Sequence, residues 1–165
     1  MSQDTISFQE LYSRYADDVY RFSCWLSGNA DEAKDITSET FARVWLAKTD
    51  IRIETVKAYL FAIARNLWLK EKRRKNRFSP IDEENDVEIP DESAGPDMIT
   101  ELRLDLDKTM KAIQTLPEIE RAVLIMRVQD ELSYEDIAGV MGFTVANVKI
   151  RILRARVKIQ ALVMM

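Results

Sequence analysis

Apolar side chains recur along this chain every three or four positions. No stretch alternates apolar with polar residues as a half-buried strand would. Phe8, Leu11, Tyr12, Tyr15, Val19, Phe22 and Leu26 form one helical stripe, which Gly28 and Asn29 bring to an end. Ala33, Ile36, Thr40, Phe41, Val44 and Trp45 form a second. Val56, Tyr59, Leu60, Ile63 and Leu67 form a third, which runs into the cluster KEKRRKNR. Together they predict a first helical domain over residues 5–78. The following segment, SPIDEENDVEIPDESAGPD, combines proline, serine, glycine and dense acids, the composition of a tether rather than a packed element. Periodicity returns with Leu102, Leu106, Met110, Ile113 and Leu116. Pro117 suits the first turn of another helix, whose apolar face is Ile119, Val123 and Met126. The predicted architecture is all-α: two small helical domains, 5–78 and 101–165, joined by an acidic flexible linker over 79–100.

The stretch from Leu132 to Arg156 is more specific. Ser133 is a natural N-cap, followed by Glu135 and Asp136 in the first turn of a helix over Tyr134–Met141. Gly142 is a stop residue and Thr144 can cap the next helix. Ala138, Gly142 and Val148 have the spacing of a helix-turn-helix: a small residue at the crossing, glycine in the turn, and an apolar anchor. Val145, Val148, Ile152, Ala155, Ile159 and Leu162 form the buried stripe expected of the second helix. Its opposite face carries Asn147, Ile150, Arg151 and Arg154, with Lys149 beside them. Such residues can read base edges in a major groove: arginine on guanine, asparagine on adenine, isoleucine against a thymine methyl.

Charge sharpens this picture. With 24 basic and 28 acidic residues the chain is acidic overall, yet the charges are sorted. Residues 51–78 hold nine bases and two acids, residues 79–100 hold eight acids and no base, and from Gly139 onward there are five bases and no acid. Two basic blocks around an acidic one point to nucleic acid, because phosphate contacts supply most non-specific affinity. The single cysteine, Cys24, sits in an apolar run and reads as a small core residue. The chain has no histidine, so a zinc site of the usual Cys/His type is excluded and the commonest general base is missing. No glycine-rich phosphate loop or nucleophile elbow is present, so the expectation is a non-enzyme without cofactor or metal. The polar, acidic N-terminus is no signal peptide and no run is long enough to span a bilayer. A cytoplasmic protein without membrane insertion is therefore expected.

Several segments taken together resemble a known family. LPEIERAVLIMRVQDELSYEDIAGVMGFTVANVKIRILRAR is similar to the fourth conserved region of bacterial extracytoplasmic-function sigma factors. DEAKDITSETFARVW resembles their second region, and VKAYLFAIARNLWLKEKRRKNR the helix that follows it. The order, spacing and total length agree. The resemblance implies that the first domain docks on core RNA polymerase and opens the minus-ten element of promoter DNA, while the second reads the minus-thirty-five element. Carried over by position, Asp35, Ile36, Glu39, Phe41 and Trp45 belong to the docking helix. Arg52 and Lys57 lie in the loop that holds a flipped base, and Arg65, Asn66, Lys70, Arg73 and Arg74 track the DNA. Phe61 and Trp68 share a face with Arg65, where aromatic rings could stack on separated bases; packing inside the domain is the competing assignment. Thr144, Asn147, Lys149, Ile150, Arg151 and Arg154 are expected at the minus-thirty-five element.

Two positions depart from the family pattern. Lys34 stands where the docking motif usually has an acid, and Ala146, Asn147 and Ile150 replace its usual Gly-Thr and later Ser. The resemblance also brings two kinds of regulator into view: an anti-sigma factor, or a serine/threonine kinase that would restore negative charge near Lys34 by modifying a residue such as Ser38. The rival readings are a stand-alone helix-turn-helix regulator and a helical adaptor that binds only protein.

Overall fold

The computed structural model describes residues 7–47, 56–78 and 108–163. Helix α1 spans Phe8–Ser27. The Ser7 hydroxyl accepts from the Glu10 N–H at 3.3 Å to start it, and Gly28 ends it in the left-handed region at φ 72°. A side chain at Gly28 would also press on Gln114, 3.0 Å from where its Cβ would lie. Helix α2 spans Ala30–Ala47. Asn29 Oδ1 accepts from the Glu32 N–H at 2.9 Å, and Asp31 and Glu32 complement the positive end of the helix dipole. Helix α3 spans Val56–Phe78. A helical stretch over 108–114, here α4, precedes α5 (Glu118–Val128), α6 (Tyr134–Met141) and α7 (Val145–Val163). No strand occurs among the described residues. The tether expected over 79–100, and Arg52, lie outside them.

The first three helices pack on one another around the stacked rings of Phe22 and Phe61, whose centroids are 4.4 Å apart with planes 5° from parallel. Leu11, Val19, Leu26, Ile36, Phe41, Leu60 and Ala64 complete that part of the core. The second half packs α5 and α6 against α7 through Val123, Met126, Ile137, Val148, Ile152 and Ala155. The two halves share one continuous apolar core, because α5 lies on α1 and α6 lies on α3. Polar groups close the seam. The Gln114 amide donates to the Trp25 carbonyl, and the buried Arg121 guanidinium donates to the carbonyls of Leu26 and Leu116 and to Gln114 Oε1. The seam therefore satisfies helix-end carbonyls of α1 that no intrahelical donor can reach.

The helix-turn-helix forms as its sequence dictates. Ser133 Oγ accepts from the Asp136 N–H at 3.1 Å and Thr144 Oγ1 from the Asn147 N–H at 3.1 Å. Gly142 turns the chain at φ 71°, and Ala138 and Val148 are buried at the crossing. One expectation needs correction. Leu162, assigned to the buried stripe of α7, is exposed, because the core beneath that helix ends near Ile159.

Candidate functional site

Three surfaces hold the residues singled out in the sequence. The first is the outward face of α2. Asp35, Glu39 and Trp45 are exposed there, together with Lys34, Ser38 and Arg43. Glu39 and Arg43, one turn apart, approach to 3.5 Å. Trp45 lies edge-on to Phe8 at 4.9 Å and keeps more than half of its surface in solvent. Ile36 and Phe41 point the other way. Both are buried, Phe41 in edge contacts with Phe8 and Tyr12. In this structure they set the orientation of α2 rather than forming its outer surface.

The second surface lies along α3. Lys70, Lys72, Arg73, Arg74, Lys75 and Arg77 are exposed on its C-terminal half. Between them and α2 runs an open groove of about 910 Å³, with Asp31, Glu32, Asp35 and Glu39 on one wall and Lys70, Arg73, Arg74, Lys75 and Arg77 on the other. Lys75 reaches Glu32 at 3.7 Å. Burial nonetheless holds the Glu32 carboxyl above its ordinary pKa, with Lys75 opposing. Arg74 pairs with Glu71 at 2.7 Å on the open surface. Asn66 is exposed, and Lys57 meets Asp18 at 3.7 Å.

The face of α3 that carries Phe61, Arg65 and Trp68 is not an open surface. Phe61 is fully buried against Phe22. Trp68 is also buried, between the ammonium of Lys72 at 4.9 Å and the guanidinium of Arg121 at 5.5 Å. Arg65 is held by the other half of the chain. Its Nε donates to Glu118 Oε1 at 2.6 Å and its Nη2 to Oε2 at 3.1 Å. This two-pronged pair is largely shielded from water, so it is stronger than an exposed ion pair. Of the residues assigned to the minus-ten element, the seam thus occupies Arg65 and Trp68, and the core of the first half buries Phe61.

The third surface, on α7, stays open. Lys149, Ile150 and Arg154 are exposed, and Thr144 stands at the N-terminus of the helix. Asn147 and Arg151 are tied together, Arg151 Nε donating to Asn147 Oδ1 at 2.8 Å, and the Arg151 guanidinium covers the Phe143 ring at 4.8 Å. Arg154 has no ion pair or hydrogen bond among the described residues. A helix with two anchored polar groups and an uncommitted arginine on its outward face can enter a major groove and donate bidentately to a base.

No local pattern announced Glu118, Arg121 or Asp130. Their partners lie across the seam, far away in the chain, and no local spacing encodes such contacts. Asp130 is buried after α5, with one carboxylate oxygen unpartnered. Burial pushes its carboxyl up to about 7, Asp18 adds to the rise, and Lys57 and Arg21 oppose it. All three of those charges belong to the first half of the chain. The folded pKa lies above the unfolded one, so the folded form binds more protons between 3.8 and about 7. Stability contributed by this group is then present at low pH and is lost as pH rises through that window. Asp130→Asn is expected to raise stability at alkaline pH by about 1–3 kcal/mol, the full shift being discounted for solvent relaxation. It should also flatten the pH dependence of urea midpoints between pH 5 and 8.

Among the described residues no helix is long and apolar enough to cross a membrane. Residues 11–78 match the family described as Sigma-70 region 2, and residues 106–159 match Sigma-70, region 4. The chain is 35% identical over 153 residues to ECF RNA polymerase sigma factor SigE of Mycolicibacterium smegmatis, covering 91% of this chain and 59% of that protein's length. It is 34% identical over 147 residues to ECF RNA polymerase sigma factor EcfG of Rhodopseudomonas palustris, covering 86% and 76%. Its fold superimposes with a TM-score of 0.81, at 24% identity and over 96% of this chain and 97% of the other, on the sigma factor RpoE of Bartonella quintana, solved in complex with the anti-sigma factor NepR.

Proposed function

Since the chain belongs to the family of ECF RNA polymerase sigma factors, we propose that it binds core RNA polymerase and directs initiation at promoters of one sequence class. The observation that carries this reading is a single chain that exposes an acidic face with Trp45 on α2 and a basic face on the second helix of a helix-turn-helix. The outer face of α2 shows Asp35, Glu39 and Trp45. On α7, Lys149, Ile150 and Arg154 face outward from a doubly capped helix-turn-helix. The chain supplies specificity and no catalysis of its own.

The α2 face docks on polymerase, with Ile36 and Phe41 holding it in place from beneath. Lys70, Arg73 and Arg74 follow the phosphates of the opening promoter. Arg65 and Trp68 join them when Glu118 and Arg121 let go, so a working complex requires the seam to part. The 79–100 tether then spans the distance between the two elements, and its acids suit the basic nucleic-acid channels of a polymerase. As RpoE of Bartonella quintana is held by an anti-sigma factor, this chain is expected to have a regulator that competes with polymerase. Charge added at Ser38, which is exposed beside Lys34 and Asp35, would be the kinase-driven alternative.

Readout by α7 can be measured base by base. Arg154→Ala should weaken polymerase-bound promoter recognition by about 1–3 kcal/mol if it pairs with guanine. Ile150→Ser should alter base preference more than overall affinity. Binding titrations on a set of upstream-element variants check both. Equal losses on every upstream sequence would mean that these side chains touch only phosphates.

A further inference from the structure

The seam holds one group that neither polymerase docking nor DNA recognition uses. Asp130, in the turn after α5, is buried, and its Oδ2 has no hydrogen-bond partner among the described residues. Backbone bonds close that turn: the Asp130 N–H donates to the Ile125 carbonyl at 3.3 Å and the Leu132 N–H to the Met126 carbonyl at 3.0 Å. The turn joins α5, which lies on α1, to α6, which lies on α3. The charges that act on Asp130 come from those two helices of the first half: Asp18 and Arg21 of α1, and Lys57 of α3. Both cations also serve Asp18, Arg21 at 3.4 Å and Lys57 at 3.7 Å. On its own side, Glu131 and Glu135 are exposed, Asp136 is half-buried, and Arg127 donates to the Leu132 carbonyl at 3.0 Å.

We infer that Asp130 is a proton-operated latch between the two halves of the chain: its neutral acid stays in the seam, whereas its carboxylate favours water, parting the halves and freeing Arg65 and Trp68. Only the consequence, the release of promoter-facing residues, rests on the sigma-factor reading.

A buried carboxylate with an unpaired oxygen is costly, and the neutral acid of the same shape is not. Parting the seam returns the group to water and to its ordinary acidity. The packed form therefore holds the proton up to about pH 7 and the parted form does not. Acid favours packing, and the advantage is lost as pH rises through that window. The other polar groups of the seam cannot act this way, since Arg65 and Arg121 stay charged throughout. Histidine, the usual switch near neutrality, is absent from the chain. The Glu32 carboxyl is also raised, but Lys75, Glu71 and Asp35, which act on it, all belong to its own half.

The test uses the full chain. Dyes on S13C and Q160C, at exposed positions of α1 and α7, report the separation of the halves by single-molecule energy transfer, the native Cys24 being buried. The ratio of parted to packed molecules should rise about tenfold from pH 6 to pH 8 in the wild type. In D130N, which keeps the shape and loses the charge, it should stay flat. D18N removes the neighbouring negative charge and should move the rise to lower pH, leaving less of it above pH 6; a merely structural role would leave the window in place. Unlabelled wild type should bind core polymerase about tenfold more tightly at pH 8 than at pH 6, measured against D130N, because only the parted form is competent. A wild-type ratio that ignores pH, an equal rise in D130N, a rise that D18N does not move, or no parted molecules at either pH overturns the latch. A wild type that shows the rise but binds no polymerase at either pH leaves the latch standing and removes the sigma-factor reading.

Discussion

Phe61→Ala should destabilise the folded chain by about 3–5 kcal/mol, the range for truncating a fully buried aromatic ring. The ring is stacked on Phe22 at 4.4 Å in the middle of the α1–α3 core. Val56, Leu60 and Ala64 of the same core are themselves fully buried. Urea unfolding of wild type and variant reads the difference directly. A ring that worked by stacking on separated promoter bases would behave otherwise. Its loss would leave the unfolding free energy within about 0.5 kcal/mol of wild type and act on promoter opening alone.

Arg121→Ala should also cost about 3–5 kcal/mol, for a different reason. The guanidinium is buried, and that burial holds its pKa below the ordinary arginine value, with Glu118 opposing. It donates to the Leu26 and Leu116 carbonyls and to Gln114 Oε1, and it covers the face of Trp68. Truncation strands three acceptors in the seam and bares an indole. Arg121→Lys should recover little, because an ammonium cannot reproduce the planar fork that reaches all three. The seam joins the two halves, so the alanine variant should also swell in solution scattering, whereas Phe61→Ala weakens one half and leaves the seam's polar contacts in place. An Arg121→Ala protein as stable and as compact as wild type would show that the two halves are not held by this group.

The helices were legible because each writes its own ends and its own stripe. Ser133, Gly142 and Thr144 announced the helix-turn-helix by type and spacing, and each does in the structure what its side chain or backbone allows. The stripe of α1 likewise ended where Gly28 turns the chain. The division of labour within a stripe was less legible. Ile36, Phe41 and Trp45 share one apolar pattern, yet only Trp45 faces solvent, because its position is decided by how α1 crosses α2. Phe61 and Trp68 share a face with Arg65 in sequence, and tertiary packing turned that face inward. The seam was invisible for the same reason. Arg65 with Glu118, and Arg121 with the end of α1, are contacts between segments that local pattern cannot connect.

The measurement closest to the central claim is run-off transcription with purified core polymerase and a promoter of the matching class, alongside binding of the chain alone to the same duplex. The account predicts transcripts from one fixed start that require both chain and polymerase, with only weak, salt-sensitive binding to the free duplex. Tight, sequence-specific binding to the duplex without polymerase, and no transcript with it, would contradict that account and make this chain a stand-alone helix-turn-helix regulator.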